Sequence, residues 1–246
     1  MNYKLRTMNY ELRTIIRVAG KAMKSYDMLA DGDRVMIGLS GGKDSLALVE
    51  VLAERQKIYK PRIEVLACHV SVDNVPYQAD IDYLKRFCSE RGVEFVHVHT
   101  SFDPDTKDGR GPCFLCSWNR RKTLFRTAEE HRCDKIALGH HKDDIVETLL
   151  MNQIFQGAYA TMPPVLKMDK FDMTIIRPLA LCRETDLQHL ADAHQYKKQT
   201  KNCPFERKSN RTTVRHLIEE MERLNPNAVS SLYNAMTNIQ TQYLPK

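Results

Sequence analysis

At 246 residues the chain is sized for one large domain, or one domain with a small appendage. A hydrophobic content of 42% and a charged content of 28% suit an ordinary water-soluble protein, and no apolar run approaches the ~18 residues needed to span a bilayer. A net charge of +6, an N-terminus without the apolar core of a signal peptide, and seven cysteines suited to thiol or metal-ligand roles point to a cytoplasmic protein with no membrane role.

The chain opens on a near-duplicate, MNYKLRT then MNYELRT, and keeps a basic helical pattern to Ala30. Asp31, Gly32 and Asp33 form a turn. Strand-like and helix-like runs then alternate. Strands are expected over 34–39, 62–70, 93–98, 134–138 and 173–177. Helices are expected over 44–57, 79–91, 117–131 and 143–156, with a Pro- and Gly-containing loop over 103–112. That alternation predicts an α/β fold, a doubly wound parallel sheet covered on both faces. Beyond Arg183 the pattern is helical, over 184–194, 212–224 and 228–240. The expected division is an N-terminal helical segment (1–30), an α/β domain (31–180) and a C-terminal helical extension (181–246).

Ser40, Gly41, Gly42, Lys43, Asp44 and Ser45 join the first strand to the first helix. A glycine turn there presents backbone N–H groups at a helix N-terminus, which is a phosphate site, and Lys43 adds a point charge. The order is not that of a Walker loop. Asp44 follows the lysine, and Ile37 stands where the first Walker glycine belongs. Ligands of parallel sheets bind beyond the carboxyl ends of the strands. Asp73 and the run Gly139, His140, His141, Lys142, Asp143, Asp144 fall at such ends, so three strand ends are expected to converge on one crevice. Asp44, Asp143 and Asp144 are candidate Mg2+ ligands. The plainer role of Asp143 is a helix N-cap, and that of His140 and His141 is packing or capping.

Cys113 and Cys116 form a C-x-x-C pair, and Cys203 lies 87 residues later in a basic stretch. Cys68, Cys88, Cys133 and Cys182 fall in apolar runs and read as small core residues. For the first three, a zinc site, a redox pair, a persulfide relay and an iron–sulfur cluster with one open iron all remain on the table. Arg120, Arg121, Lys122 and Arg126 form one basic cluster, and Lys197, Lys198, Lys201, Arg207, Lys208 and Arg211 another. Such runs are either solvated faces or surfaces that track RNA phosphates.

The 40–45 loop resembles the PP-loop of the ATP pyrophosphatases, which cleave ATP between the α and β phosphates and adenylate a substrate. Most of the chain resembles the TtcA-type tRNA 2-thiocytidine synthetases within that superfamily. The likeness rests on the loop, on Cys113-x-x-Cys116 with Arg120 and Arg121, on the Ala137–Asp144 run, on Met162-Pro-Pro164, on Ile176-Arg-Pro-Leu-Ala180 with Cys182-Arg-Glu184, and on Cys203. The resemblance implies ATP held by residues 40–45 with Asp73, Gly139, His140, Asp143 and Asp144. It implies Mg2+, and catalytic roles for Lys43 and Asp44. It also implies a 4Fe-4S cluster on Cys113, Cys116 and Cys203. The implied substrate is tRNA, met by Arg120, Arg121, Lys122, Lys197, Lys198 and Lys201 and thiolated at cytidine 32. The implied sulfur donor is a cysteine desulfurase or free sulfide, and a homodimer is allowed. A sister branch makes 2-thiouridine and carries cysteine pairs near both termini. Here no cysteine precedes Cys68 or follows Cys203. A cluster-free persulfide enzyme is the other alternative.

Overall fold

The structure is a computed structural model that describes residues 3–75, 79–103, 111–169, 171–199 and 210–244, with side chains from Tyr10 onward. In chain order the elements are α1 (Tyr3–Ser25), β1 (Arg34–Gly38), α2 (Lys43–Gln56), β2 (Glu64–Val72), α3 (Ile81–Ser89), β3 (Glu94–Thr100) and α4 (Pro112–Glu130). They continue with β4 (Lys135–Ala137), α5 (Lys142–Gln156), β5 (Val165–Lys167), β6 (Thr174–Ile176), α6 (Glu184–Ala193), α7 (Asn210–Leu224) and α8 (Ala228–Ala235).

The strands form one sheet in the order β3-β2-β1-β4-β6-β5, parallel throughout except for the antiparallel edge strand β5. The two-residue alternation of strand side chains divides the core. Val35, Ile37, Val65 and Ala67 face a layer built with α1, α2, α3 and α6. Met36, Leu66, Cys68 and Val70 face α4 through Leu124, Phe125 and Ala128. Burial on both faces is why β1 and β2 read as nearly unbroken apolar runs. Helices α5, α7 and α8 close a third cluster around Ile145, Val214 and Val229.

From β1 the chain proceeds outward to β2 and β3, then returns through α4 to β4 on the other side of β1. The strand order therefore reverses between β1 and β4, and a crevice opens there beyond their carboxyl ends.

The expected doubly wound sheet is present, and three local expectations are corrected. The fourth helix starts at Pro112, not residue 117, because Gly111 is its N-cap and Pro112 occupies the first turn, where a missing N–H costs nothing. Both Cys113 and Cys116 are therefore helical. Strand β5 is additional to the expected strands: its three residues, two of them exposed, carry no alternation signal. Helix α8 ends at Ala235, five residues short of the expected end.

Candidate active site

The 40–45 loop is shaped by its glycines and serines. Gly41 adopts φ +84°, a left-handed conformation that favours glycine. Its N–H donates to Ser45 Oγ at 3.1 Å, and Ser45 Oγ donates to the Gly42 carbonyl at 2.9 Å. Gly42 is the N-cap of α2 and offers no side-chain cap. The first-turn N–H groups are therefore left for an anion. Lys43 Nζ lies 3.0 Å from Asp44 Oδ1 and 3.2 Å from Glu184 Oε1. Burial alone would lower the Lys43 pKa, but the two carboxylates outweigh it and raise it, so the ammonium is held charged.

The loop after β4 presses against this helix start. A Cβ on Gly139 would lie 3.1 Å from the Asp44 carbonyl group and the Ser45 nitrogen, all backbone atoms that cannot turn aside. His141, not Asp143, caps α5. Its side chain accepts from the Asp144 N–H, and the Asp144 carboxylate accepts in return from the His141 N–H at 3.1 Å. Burial opposes charge on His141, yet Asp143, Asp144 and Asp44 together raise its pKa.

Asp143 instead ties α5 to α6. Its carboxylate accepts from Arg183 Nε at 3.0 Å and from the Glu184 N–H at 2.8 Å. Burial would raise the Asp143 pKa, but His141, the Glu184 N–H and Arg183 override it and hold the pKa at about 2. Arg183 continues to Glu222 of α7 at 2.6 Å. The starts of α2, α5 and α6 are thus joined by one chain of charges.

A cavity of about 550 Å³ opens beside the loop. It is lined by Ser40, Gly41, Gly42 and Lys43 on one side and by Cys113, Cys116 and Arg120 on the other. Residues 196–199 complete it. A neighbouring cavity of about 460 Å³ lies between the sheet and α4. It shares Ser40, Val75, Cys113, Cys116 and Arg120 with the first, adds Arg121, and has mainly apolar walls such as Val70, Leu124, Phe125 and Ile136. Cys113 is exposed and Cys116 half-buried, three residues apart and so on the same face of α4. The other four described cysteines are buried, and burial raises Cys68, Cys88 and Cys182 to about 12 and Cys133 to about 11. Those thiols stay protonated, as core residues should.

The structure does not gather every expected residue. Asp73 is exposed, pairs with His99 Nδ1 at 2.7 Å, and lines neither cavity. His140 also lines neither; burial and then Arg177 lower its pKa to about 4. Lys197 and Lys198 do reach the first cavity, with the Lys197 ammonium paired to Asp80. Lys201 and Cys203 lie outside the described residues. Among the described residues, no group of three His, Cys, Asp or Glu side chains is placed to hold a metal ion.

Sequence reasoning gave no site role to three features. Glu184 and Arg183 act through partners about 40 or more positions away. His69 lines the second cavity, and its Nδ1 meets the Leu39 carbonyl at 2.8 Å. A carbonyl only accepts, so Nδ1 carries the proton; burial lowers the His69 pKa to about 4 and keeps the ring neutral. A histidine near the carboxyl end of an apolar strand was the available signal. Finally, buried Glu50 of α2 takes Arg91 Nη2 at 2.5 Å, His194 Nδ1 at 2.9 Å and the Tyr196 hydroxyl at 2.8 Å. That network fastens the 194–199 segment, which walls the cavity.

A glycine-built loop between β1 and α2, at the reversal of a parallel sheet, defines a nucleotide-binding α/β protein. Residues 12–222 match the PP-loop domain family, and the chain belongs to that family. It is 36% identical over 233 residues to the tRNA-cytidine(32) 2-sulfurtransferase of Pseudomonas putida (strain GB-1), covering 93% of this chain and 84% of that protein. It is 35% identical over 228 residues to the protein of the same name from Pseudomonas fluorescens (strain Pf0-1), covering 91% and 82%. Among solved structures it resembles the U34-tRNA thiolase NcsA from Methanococcus maripaludis with its 4Fe-4S cluster. The TM-score there is 0.74 at 29% identity, over 97% of this chain and 81% of that one.

Proposed function

We propose that the protein is an ATP-dependent tRNA sulfurtransferase that replaces the C2 oxygen of cytidine 32 with sulfur. One observation carries the reading: residues 40–43 of the loop, Cys113 and Cys116, and the cations Arg120, Lys197 and Lys198 line the same cavity of about 550 Å³. A phosphate cradle and a sulfur-handling pair facing one space is what an oxygen-to-sulfur exchange requires. The names of the cytidine-32 relatives support the substrate.

The C2 carbonyl of a pyrimidine has no good leaving group. Attack of the C2 oxygen on the α-phosphorus of ATP forms an O–P bond and expels pyrophosphate. Lys43 and the first-turn N–H groups of α2 offset the charge on that pyrophosphate. A sulfide then adds at C2, and the C–O bond breaks with AMP as the leaving group, carrying the original oxygen. No net oxidation or reduction occurs. The mainly apolar second cavity suits an aromatic base, with the neutral His69 ring at its wall.

Magnesium would be held by one or two of the carboxylates of Asp44, Asp143 and Asp144, the small number that Mg2+ typically takes from protein. Its contribution would be to neutralise phosphate charge. The two thiols on one face of α4 fit two ligands of a 4Fe-4S cluster, with Cys203 assigned as the third. Such a cluster would supply an iron position able to hold sulfide.

The NcsA likeness favours a second reading, uridine as the target base. The cytidine-32 relatives stand above it through higher identity at similar coverage. Anaerobic incubation with ATP, Mg2+, sulfide and unmodified tRNA should release AMP and pyrophosphate in equal amounts. ADP and phosphate as the main products would defeat the reading.

A further inference from the structure

Helix α4 carries a second feature, on the flank beside its cavity-lining residues. Trp118 is the only tryptophan of the chain, and it is 44% exposed. Phe114, one turn earlier, is 46% exposed. Lys122, one turn later, holds its Nζ 4.8 Å from the centre of the Trp118 ring. Residues four apart stack along one side of a helix, so the three form a continuous stripe. Ser117 and Arg121, their immediate neighbours, line the second cavity, so the stripe borders its rim.

We propose that this stripe is a stacking platform for an unpaired base of the RNA loop that carries the target nucleotide. The proposal rests on the tRNA reading and adds to it a binding surface and named contacts. Sequence-tolerant binders of single-stranded RNA interleave aromatic faces, which take bases, with cations, which take phosphates. From Pro112 to Ala128 helix α4 has that composition: Phe114, Trp118, Arg120, Arg121, Lys122 and Arg126, with no acidic residue. A target base that enters the cavity must leave its own stack, and its neighbours then lose a partner. A base beside the target would recover that contact on Trp118, while Lys122 both faces the indole and reaches toward the backbone phosphates.

The test is binding of a labelled anticodon stem-loop RNA to the anaerobically purified full chain. Trp118→Ala should weaken binding about 5- to 150-fold, the range expected for one base–aromatic contact. Trp118→Tyr should retain most of the affinity. Both variants should keep the wild-type urea midpoint, because the side chain is exposed. RNA made abasic at a loop position beside the target should erase the difference between wild type and Trp118→Ala. The lone tryptophan should also report the contact directly, through quenching of its emission by the intact RNA and not by the abasic one. RNA that binds the wild type and Trp118→Ala equally, with emission unmoved, would overturn the platform and leave the thiolation reading standing. A wild-type protein that binds no RNA would overturn both. Emission that responds to anionic lipid vesicles and not to RNA would assign the stripe to a membrane surface instead and overturn the proposal.

Discussion

The 550 Å³ cavity joins two regions that hold their functional groups differently: a loop wall, taken with the helix starts packed behind it, and an α4 wall, taken with the helix flank that lies outside the cavity. On the loop wall almost every charge is matched by another. Lys43 sits between Asp44 and Glu184, Asp143 between Arg183 and the Glu184 N–H, and Asp144 reciprocates the His141 cap. Three helix starts are pinned to one another, and Gly139 admits no side chain between them. The α4 wall instead displays its groups from a single helix: an exposed thiol, a half-buried thiol, exposed aromatics and a run of cations. The loop wall suits a ligand of fixed shape, such as a nucleotide triphosphate, whose phosphates must be met by dipoles oriented in advance. The α4 wall suits a large polyanion, whose approach depends on the charge and stacking surface that protrude.

The comparison can be broken at its largest effect through the thiols. Cys113→Ala and Cys116→Ala should each reduce thiolated product to background while ATP binding, read by isothermal titration, persists. Cys88→Ala and Cys133→Ala, at buried thiols that line neither cavity, should leave turnover at the wild-type level. Loss of product in all four alike would remove the distinction between wall and core thiols.

The next effect is on stability. Glu50 is 4% exposed, and removing it would leave Arg91 and His194 without their shared carboxylate. Glu50→Ala should cost about 3–5 kcal/mol, read from urea unfolding. The 194–199 segment should become more open to protease at the same time. A cost near zero would mean that the segment is held by other contacts.

Lys43→Ala should lower turnover by about 10²–10³-fold, the usual loss when one preorganised charge at a transition state is removed. Because Lys43 also balances Asp44 and Glu184, the added Glu184→Gln change should restore stability without restoring turnover.

The smallest effect is the acid limb of stability. The folded Asp143 carboxyl has a pKa of about 2, below its ordinary 3.8. Its contribution is therefore complete above pH 3.8 and is lost as the pH falls through about 2. The shift is worth about 2 kcal/mol. Arg183→Gln should weaken the pairing and move the acid-unfolding midpoint upward, as circular dichroism would show.

The parts legible in the sequence were those whose physics is local. A strand, two glycines and a helix start lie within a dozen residues around Gly41, so the phosphate loop could be read from its neighbours alone. The four core cysteines were legible from the apolar runs around them. What escaped depends on distant partners or on ambiguous residues. Pro112 reads equally as the end of a loop and as the first turn of a helix, and only Gly111 in its extended conformation selects the second. Capping was among the roles expected of His141 and is the one it takes, whereas Asp143, of a residue type commoner at caps, does not cap α5. Glu184 and Arg183 meet the loop and α5 only after the chain has folded back across the sheet. His69 shows in sequence only as a histidine near the carboxyl end of an apolar strand; its tautomer is set by the distant Leu39 carbonyl, which the sequence does not place beside it.

The central claim is the identity of the product nucleoside, and mass spectrometry of digested tRNA tests it most directly. Unmodified tRNA incubated anaerobically with the enzyme, ATP, Mg2+ and sulfide should yield 2-thiocytidine at position 32. Its amount should match the AMP released, and Asp44→Ala should form none. Formation of 2-thiouridine with position 32 unchanged would contradict the account and assign the cavity to a uridine.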